Sequence, residues 1–190
     1  MIRKLLTLAA RSSLALALCA GAAAHAEKVK LTTSLGDIVI EVDAAKAPKT
    51  VDNFLAYVKA GHYDGTVFHR VIPTFMIQGG GMTAELKERP TRAPIPLESK
   101  NGLSNVRGSV AMARTGDPNS ATSQFFINVR DNLRLDAANS PDGNGYAVFG
   151  KVVSGMEVVD KIRDTPTTSK GPYDDVPKTP ITILKATLEK

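Results

Sequence analysis

The feature that most limits the fold is a succession of short apolar runs separated by loops rich in Gly, Pro, Asn and Asp. Runs of this length, several with alternating apolar and polar residues, are typical of β-strands. They occupy residues 28–33, 38–42, 67–72, 75–77, 109–113, 124–129, 146–153 and 181–188. The longest loops between them are predicted at residues 90–105, 131–145 and 165–180.

Two segments instead have helical spacing. In APKTVDNFLAYVKAG (residues 47–61) apolar residues recur at i, i+3, i+4 and i+7, with a proline at the first turn and a glycine at the end. A shorter helix is predicted at residues 156–163. Many short strands with two helices indicate a mostly β fold, with an antiparallel sheet closed into a barrel or sandwich and helices covering its ends. Periodicity alone leaves the topology open.

The first 26 residues predict a secretory signal peptide. Arg3 and Lys4 precede an apolar run at residues 14–20, and Ala24-His25-Ala26 forms an A-x-A cleavage site. The run is shorter than the ~20 residues that span a bilayer, so we expect cleavage after Ala26 and no stable membrane anchor. Residues 27–190 then form one domain.

Charge and cysteine content exclude several classes of function. Arg3, Lys4 and Arg11 contribute three of the five net positive charges, so the remaining domain is nearly neutral and no nucleic-acid partner is expected. The single cysteine, Cys19, also lies in the signal segment, which excludes disulfides and thiolate sites from the domain. Two histidines remain there, too few for a zinc site without other ligands. We therefore expect no metal site.

Two stretches combine apolar and polar residues in a way that suits a binding pocket. FHRVIPTFMIQGGG (residues 68–81) is apolar enough for a core, yet it carries His69, Arg70 and Gln78. SQFFINV (residues 123–129) has the same character. Strand alternation places Gln124 and Phe126 on one face of the sheet and the neighbouring apolar residues on the other. The three glycines at 79–81 lack the context of a phosphate loop and predict a tight turn.

These stretches, followed by YAVFGKVVSGMEVVDKI (residues 146–162), resemble the cyclophilin family of peptidyl-prolyl cis-trans isomerases, most nearly its secreted periplasmic bacterial branch. The resemblance implies an eight-stranded antiparallel closed β-barrel capped by two α-helices, with the active groove on its outer face. It implies a cofactor-free enzyme, which we expect to be a monomer in the periplasm. Its substrates would be proline-containing unfolded or partly folded exported polypeptides.

The resemblance also assigns site residues. Arg70 would be the catalytic cation, and the substrate-binding residues would be Phe75, Met76, Gln78, Ala113, Gln124, Phe126, Leu135 and Tyr146. His69 is expected to be structural. Two departures stand out. Arg134 occupies a position where an aromatic residue usually lines the pocket rim. Arg114 occupies a position often held by asparagine, whose backbone usually contacts the peptide, so we do not expect the Arg114 side chain to matter.

Two other functions stay open at this point. A peptide-binding chaperone with weak or incidental isomerase activity would use the same groove. Arg134, in place of the usual aromatic residue at the rim, is the feature that supports this alternative. A secreted serine hydrolase is a third possibility, although no serine lies in a Gly-x-Ser-x-Gly motif. Isomerisation of an X-Pro bond needs no nucleophile, which suits a chain in which none is evident.

Overall fold

The computed structural model describes residues 26–189, so the predicted signal peptide lies almost wholly outside the described residues. Ten strands and two helices follow in the order β1 Lys28–Thr33, β2 Gly36–Val42, α1 Pro48–Lys59, β3 Thr66–Ile72, β4 Met76–Gly79, β5 Ser109–Met112, β6 Phe125–Asn128, β7 Val148–Ser154, α2 Met156–Arg163, β8 Thr167–Lys170, β9 Tyr173–Pro177 and β10 Thr182–Glu189. A short 3₁₀ helix, Leu133–Leu135, precedes β7.

Eight of the strands close into an antiparallel barrel in the order β1-β10-β3-β4-β6-β5-β7-β2. The predicted mostly β fold, an eight-stranded antiparallel closed barrel with two helices, is confirmed. The predicted loop at residues 165–180 is wrong in part, because β8 and β9 form a separate hairpin there. Its strands are largely polar and exposed, so they carry little of the apolar alternation by which strands are recognised.

The barrel interior is filled by the residues of each strand that point inward. Val71 lies opposite Ile77, and Ile77 opposite Ile127. All three are fully buried. From α1, Phe54 reaches the same core and packs its ring 5.7 Å from Phe125 and 5.0 Å from Phe149, measured between centroids. Branched and aromatic side chains interdigitated in this way give a rigid scaffold.

The start of α1 is stabilised by a residue from a distant loop. Pro48 stands in the first turn, where its missing N–H is not needed. The Glu98 carboxylate accepts hydrogen bonds from the Thr50 backbone N–H at 2.8 Å and its hydroxyl at 2.7 Å. This cap satisfies the helix N-terminus and fixes the loop before β5 against the barrel. None of the helices within residues 26–189 is long and apolar enough to cross a bilayer.

Candidate active site

The register of five barrel strands places one row of side chains on the outer face. Arg70 on β3 lies opposite Gln78 on β4, and Gln78 lies opposite Phe126 on β6. Phe126 lies opposite Ala111 on β5, and Ala111 opposite Val148 on β7. Directly opposed residues project from the same face of a sheet. Since their chain neighbours fill the core, this row projects outward.

A β-bulge aims Arg70 away from the core. Phe68 pairs with Gly79 and Arg70 with Gln78, so His69 is the extra residue on β3. Without the bulge, Phe68 and Arg70 would share a face; with it, Phe68 is buried in the barrel core and Arg70 is exposed outside. Bulges often re-aim a side chain beside an active site in this way. The bulged His69 is itself buried, and that burial lowers its pKa to about 4, so its imidazole is neutral.

The outer face carries an apolar cluster that is separate from the barrel core. We call it the outer apolar cluster; its buried members are Met76, Ala111, Phe126 and Val148, and its partly buried members are Ile72, Phe75, Leu103, Ala113, Leu135 and Tyr146. Phe126 is at its centre and only 4% exposed. The Tyr146 ring stands edge-on to it at a centroid distance of 5.7 Å.

Polar groups form one edge of the outer apolar cluster. Gln78 donates from Nε2 to Gln124 Oε1 at 2.9 Å, and Arg70 Nη1 lies 3.5 Å from Gln78 Oε1. Gly81 makes room for this pair, because a Cβ there would overlap Gln124 Cγ and lie 2.8 Å from its Cδ. Gly80 has φ +85°, a conformation that glycine adopts readily. The three glycines therefore make the turn out of β4 and leave space for Gln124.

All nine sequence-predicted site residues lie together on this face, in the outer apolar cluster or along its polar edge. The arrangement offers a guanidinium, two carboxamides and an apolar floor. Such a surface can hold an apolar ring and donate hydrogen bonds to a backbone. Within residues 26–189, no group of three His, Cys, Asp or Glu side chains is placed to bind a metal ion.

Comparison with known proteins connects this geometry to a family. The model of the cyclophilin type peptidyl-prolyl cis-trans isomerase family matches residues 28–188. The chain is 57% identical over 159 residues to peptidyl-prolyl cis-trans isomerase cyp18 of Streptomyces antibioticus, covering 83% of this chain and 96% of that protein. It is 51% identical over 163 residues to isomerase B of Escherichia coli, covering 85% and 99%.

A solved structure supports the same family assignment. The cyclophilin type isomerase of Cryptosporidium parvum matches with a TM-score of 0.72 at 27% identity, over 87% of this chain and 98% of that one. The chain belongs to the cyclophilin family. It is a peptidyl-prolyl cis-trans isomerase, an enzyme that rotates X-Pro peptide bonds.

A buried amide network that sequence reasoning missed is bonded to the backbone of Phe75, a member of the outer apolar cluster. Asn132 donates from Nδ2 to Phe75 O at 2.8 Å and to Asn128 Oδ1 at 2.7 Å. Asn128 in turn donates to Asn105 Oδ1 at 3.2 Å and to Ser109 Oγ at 2.9 Å. Satisfied buried amides fix the segments they join. This network therefore positions the backbone of Phe75 at the edge of the outer apolar cluster.

The Arg114 side chain is a second feature that the sequence analysis undervalued. Its guanidinium carbon lies 4.7 Å from the centroid of the Tyr146 ring, and it donates to Gly145 O at 2.9 Å and to Asp142 Oδ2 at 2.6 Å. The Asn144 backbone N–H and then the Arg114 guanidinium hold the pKa of Asp142 well below its usual range. The Arg114 side chain therefore ties the loop before β7 to Tyr146 in the outer apolar cluster.

Proposed function

We propose that Arg70 and the outer apolar cluster carry out the isomerisation, with the proline ring held against Phe126. To bind a proline residue, a site needs an apolar surface on which the ring can pack. To catalyse isomerisation, it also needs a hydrogen-bond donor beside the proline nitrogen. The observation that carries the proposal is the continuous row from Arg70 through Gln78 to Phe126 on one face of three neighbouring strands. A Cryptosporidium parvum relative was solved in the presence of the dipeptide Ala-Pro, which supports an X-Pro ligand here.

A few well-placed groups can supply the required reduction of the rotation barrier. Rotation about a peptide bond has a barrier of ~18–20 kcal/mol, and X-Pro bonds isomerise unaided in ~10–100 s. Shortening this to milliseconds needs a factor of ~10⁴–10⁵, which corresponds to roughly 5.5–7 kcal/mol. No bond is made or broken, so positioning and electrostatic stabilisation are sufficient.

Arg70 supplies the interaction that distinguishes the transition state. In the twisted amide, resonance is lost and a lone pair localises on the proline nitrogen. A guanidinium N–H donated to that nitrogen stabilises the twisted form more than either planar isomer, which is what accelerates a reaction. Within residues 26–189 no ion pair involves Arg70, so its charge is available to the substrate.

Gln78 and Gln124 would hold the peptide backbone while the bond turns. Their side chains already bond to each other at 2.9 Å, which orients both carboxamides before a substrate arrives. The partly buried rim residues Phe75, Ala113, Leu135 and Tyr146 would exclude water from the ring and strengthen the Arg70 interaction. Met76 and Phe126 would form the floor.

We further propose that the enzyme acts in the periplasm on proline-containing unfolded or partly folded exported polypeptides, as a monomer without a cofactor. The predicted signal peptide supports export. The binding surface on the outer face of the barrel lies open to an extended chain, which suits unfolded clients.

The experiment is cis-to-trans conversion of a proline peptide by the mature protein, recovered from the periplasmic fraction and expected by intact mass to begin at Glu27. Arg70→Ala should lower kcat/KM about 100-fold or more, the usual cost of removing a transition-state donor. Its unfolding midpoint should stay near wild type, because the side chain is exposed. Full activity in this variant would refute the mechanism. Suppression of aggregation of proline-free clients that survives Arg70→Ala would favour the chaperone alternative.

A further inference from the structure

We propose that this enzyme prefers substrates with acidic residues beside the proline, because a cationic groove adjoins the site. This inference rests on the proposed function and adds a substrate class to it. The groove has a volume of about 620 Å³ and is lined by Arg70, Ile72, Thr74, Phe75 and residues 130–134. Ile72 and Phe75 also belong to the outer apolar cluster, so the groove and that cluster are continuous.

The groove carries a net positive charge. Arg70, Arg130 and Arg134 face a single carboxylate, that of Asp131. Asp131 accepts a hydrogen bond from the Arg107 backbone N–H at 2.8 Å, which holds its side chain toward the neighbouring loop. A carboxylate from a bound peptide would therefore meet a net positive surface.

These arginines differ from others on the same molecule. Arg107 and Arg114 each have a carboxylate partner, at 2.7 Å and 2.6 Å. Among residues 26–189, no ion pair is formed by the three arginines of the groove, and all three are exposed. The groove thus presents cations whose natural counter-charge would come from another chain.

Arg134 is held in place at the rim. Its guanidinium carbon lies 5.4 Å from the centroid of the Phe75 ring, a distance at which a cation is attracted to the face of the ring. A guanidinium has five N–H donors, so one that lies over a ring can still bind a carboxylate in a fork. A neutral aromatic residue at this position would offer no such charge.

A bound peptide would lie beside the arginines of the groove. With its proline against Phe126, the chain leaves the outer apolar cluster in two directions, one of which passes Arg70 and Phe75 into the groove. An extended chain rises about 3.3 Å per residue, so side chains one to three residues from the proline reach the groove. An acidic side chain there can pair with Arg130 or Arg134, whereas lysine is repelled.

The expected preference is moderate because the arginines are exposed. Ion pairs of this kind each change an equilibrium by a factor of about 1.5 to 5 and weaken with salt. We expect kcat/KM to be about three- to tenfold higher for an acidic peptide than for its lysine counterpart at low salt. The ratio should approach one at about 0.5 M salt, where charges more than a few ångströms apart are screened.

The test uses one X-Pro peptide with Asp, Ala or Lys placed two residues before or two residues after the proline, and the mature enzyme. The variant is Arg130→Glu with Arg134→Glu, which should abolish or invert the Asp-to-Lys ratio. The matched control is Lys161→Glu with Lys185→Glu, which makes the same change in net charge at exposed positions outside the groove. It should keep the wild-type ratio. Circular dichroism checks that both variants are folded.

The outcomes separate this inference from the proposed function. A preference for Asp on either side of the proline, lost in the groove variant alone, supports the inference and shows which side of the peptide occupies the groove. Equal kcat/KM for Asp and Lys peptides in the wild type, or a preference that survives in the groove variant or is lost equally in the control, overturns it. The Ala peptide reports the isomerase mechanism separately, through its dependence on Arg70.

Discussion

The inner and outer faces of the same five strands have opposite characters. On the inner face Ile77 and Ile127 are fully buried among other apolar side chains. On the outer face Met76 and Phe126 are also buried, yet their rim is half-exposed and polar groups stand at its edge. The inner cluster is fully enclosed by the barrel, whereas the outer one has partly exposed apolar side chains on which a ligand can pack. One sheet thus provides both the scaffold and the candidate site.

The difference also shows how the site is kept rigid. Phe126 stands between Phe125 and Ile127, both of which are locked into the barrel core. The backbone that carries each outer side chain therefore has little freedom. Groups held by a rigid element lose little entropy when they engage a substrate, so a stable inner face would favour the activity that we propose for the outer one.

The bulge at His69, which separates the buried Phe68 from the exposed Arg70, predicts a large effect of pH on stability. Burial lowers the pKa of His69 from 6.5 to about 4, so below pH 6.5 the unfolded chain binds a proton that the folded protein does not. Stability should therefore fall as the pH drops from about 6.5 to 4, by on the order of 3 kcal/mol. Urea unfolding across this range measures the change.

Matched histidine variants identify the source of that change. His69→Gln should remove most of the pH dependence, and His62→Gln a smaller part, since burial lowers the pKa of His62 as well. If His69→Gln unfolds with the same pH dependence as the wild type, the buried neutral histidine is not its cause.

A smaller effect is predicted where the polar edge meets the turn after β4. In Gly81→Ala the new methyl group collides with Gln124, which must rotate and lose its bond to Gln78. We expect a three- to tenfold fall in kcat/KM, with about 1 kcal/mol lost from the free energy of unfolding through overpacking.

The control for this variant is Gly116→Ala, because nothing lies within 4 Å of a Cβ at Gly116. It should leave activity and stability close to wild type. If Gly81→Ala matches Gly116→Ala in activity, the orientation of Gln124 is irrelevant to catalysis.

The sequence predicts the two faces because alternation is a local property. In SQFFINV it separates Phe126 from Phe125 without any knowledge of the partner strands, and the structure places these residues in different clusters. The choice of a barrel over a sandwich, in contrast, depended on the family resemblance, since strand order arises from pairings distant in sequence.

Other features could not be predicted because they depend on tertiary contacts. The bulge at His69 exists only relative to the register with β4. Asn105 is distant in the chain from Asn128, and Phe75 from Asn132, so the full amide network forms only in the folded barrel. Arg114 was undervalued for the same reason, because its contacts with Asp142 and Tyr146 cross a long loop.

The most direct test of the central claim, that activity belongs to the outer face, compares two adjacent phenylalanines. Phe125 is 0% exposed in the barrel core and Phe126 is 4% exposed in the outer apolar cluster. Phe125→Ala should cost about 3–5 kcal/mol of stability while each folded molecule keeps kcat/KM within about threefold of wild type. Phe126→Ala should be less destabilising but lose at least about tenfold in kcat/KM, since the floor for the proline ring is gone.

The measurement is kcat/KM on one proline peptide, corrected for the folded fraction from urea unfolding. Phe125→Leu replaces Phe125→Ala if the latter does not fold. The account predicts that stability and activity separate between the two positions. Wild-type activity in Phe126→Ala, or an equal loss per folded molecule at both positions, would contradict it.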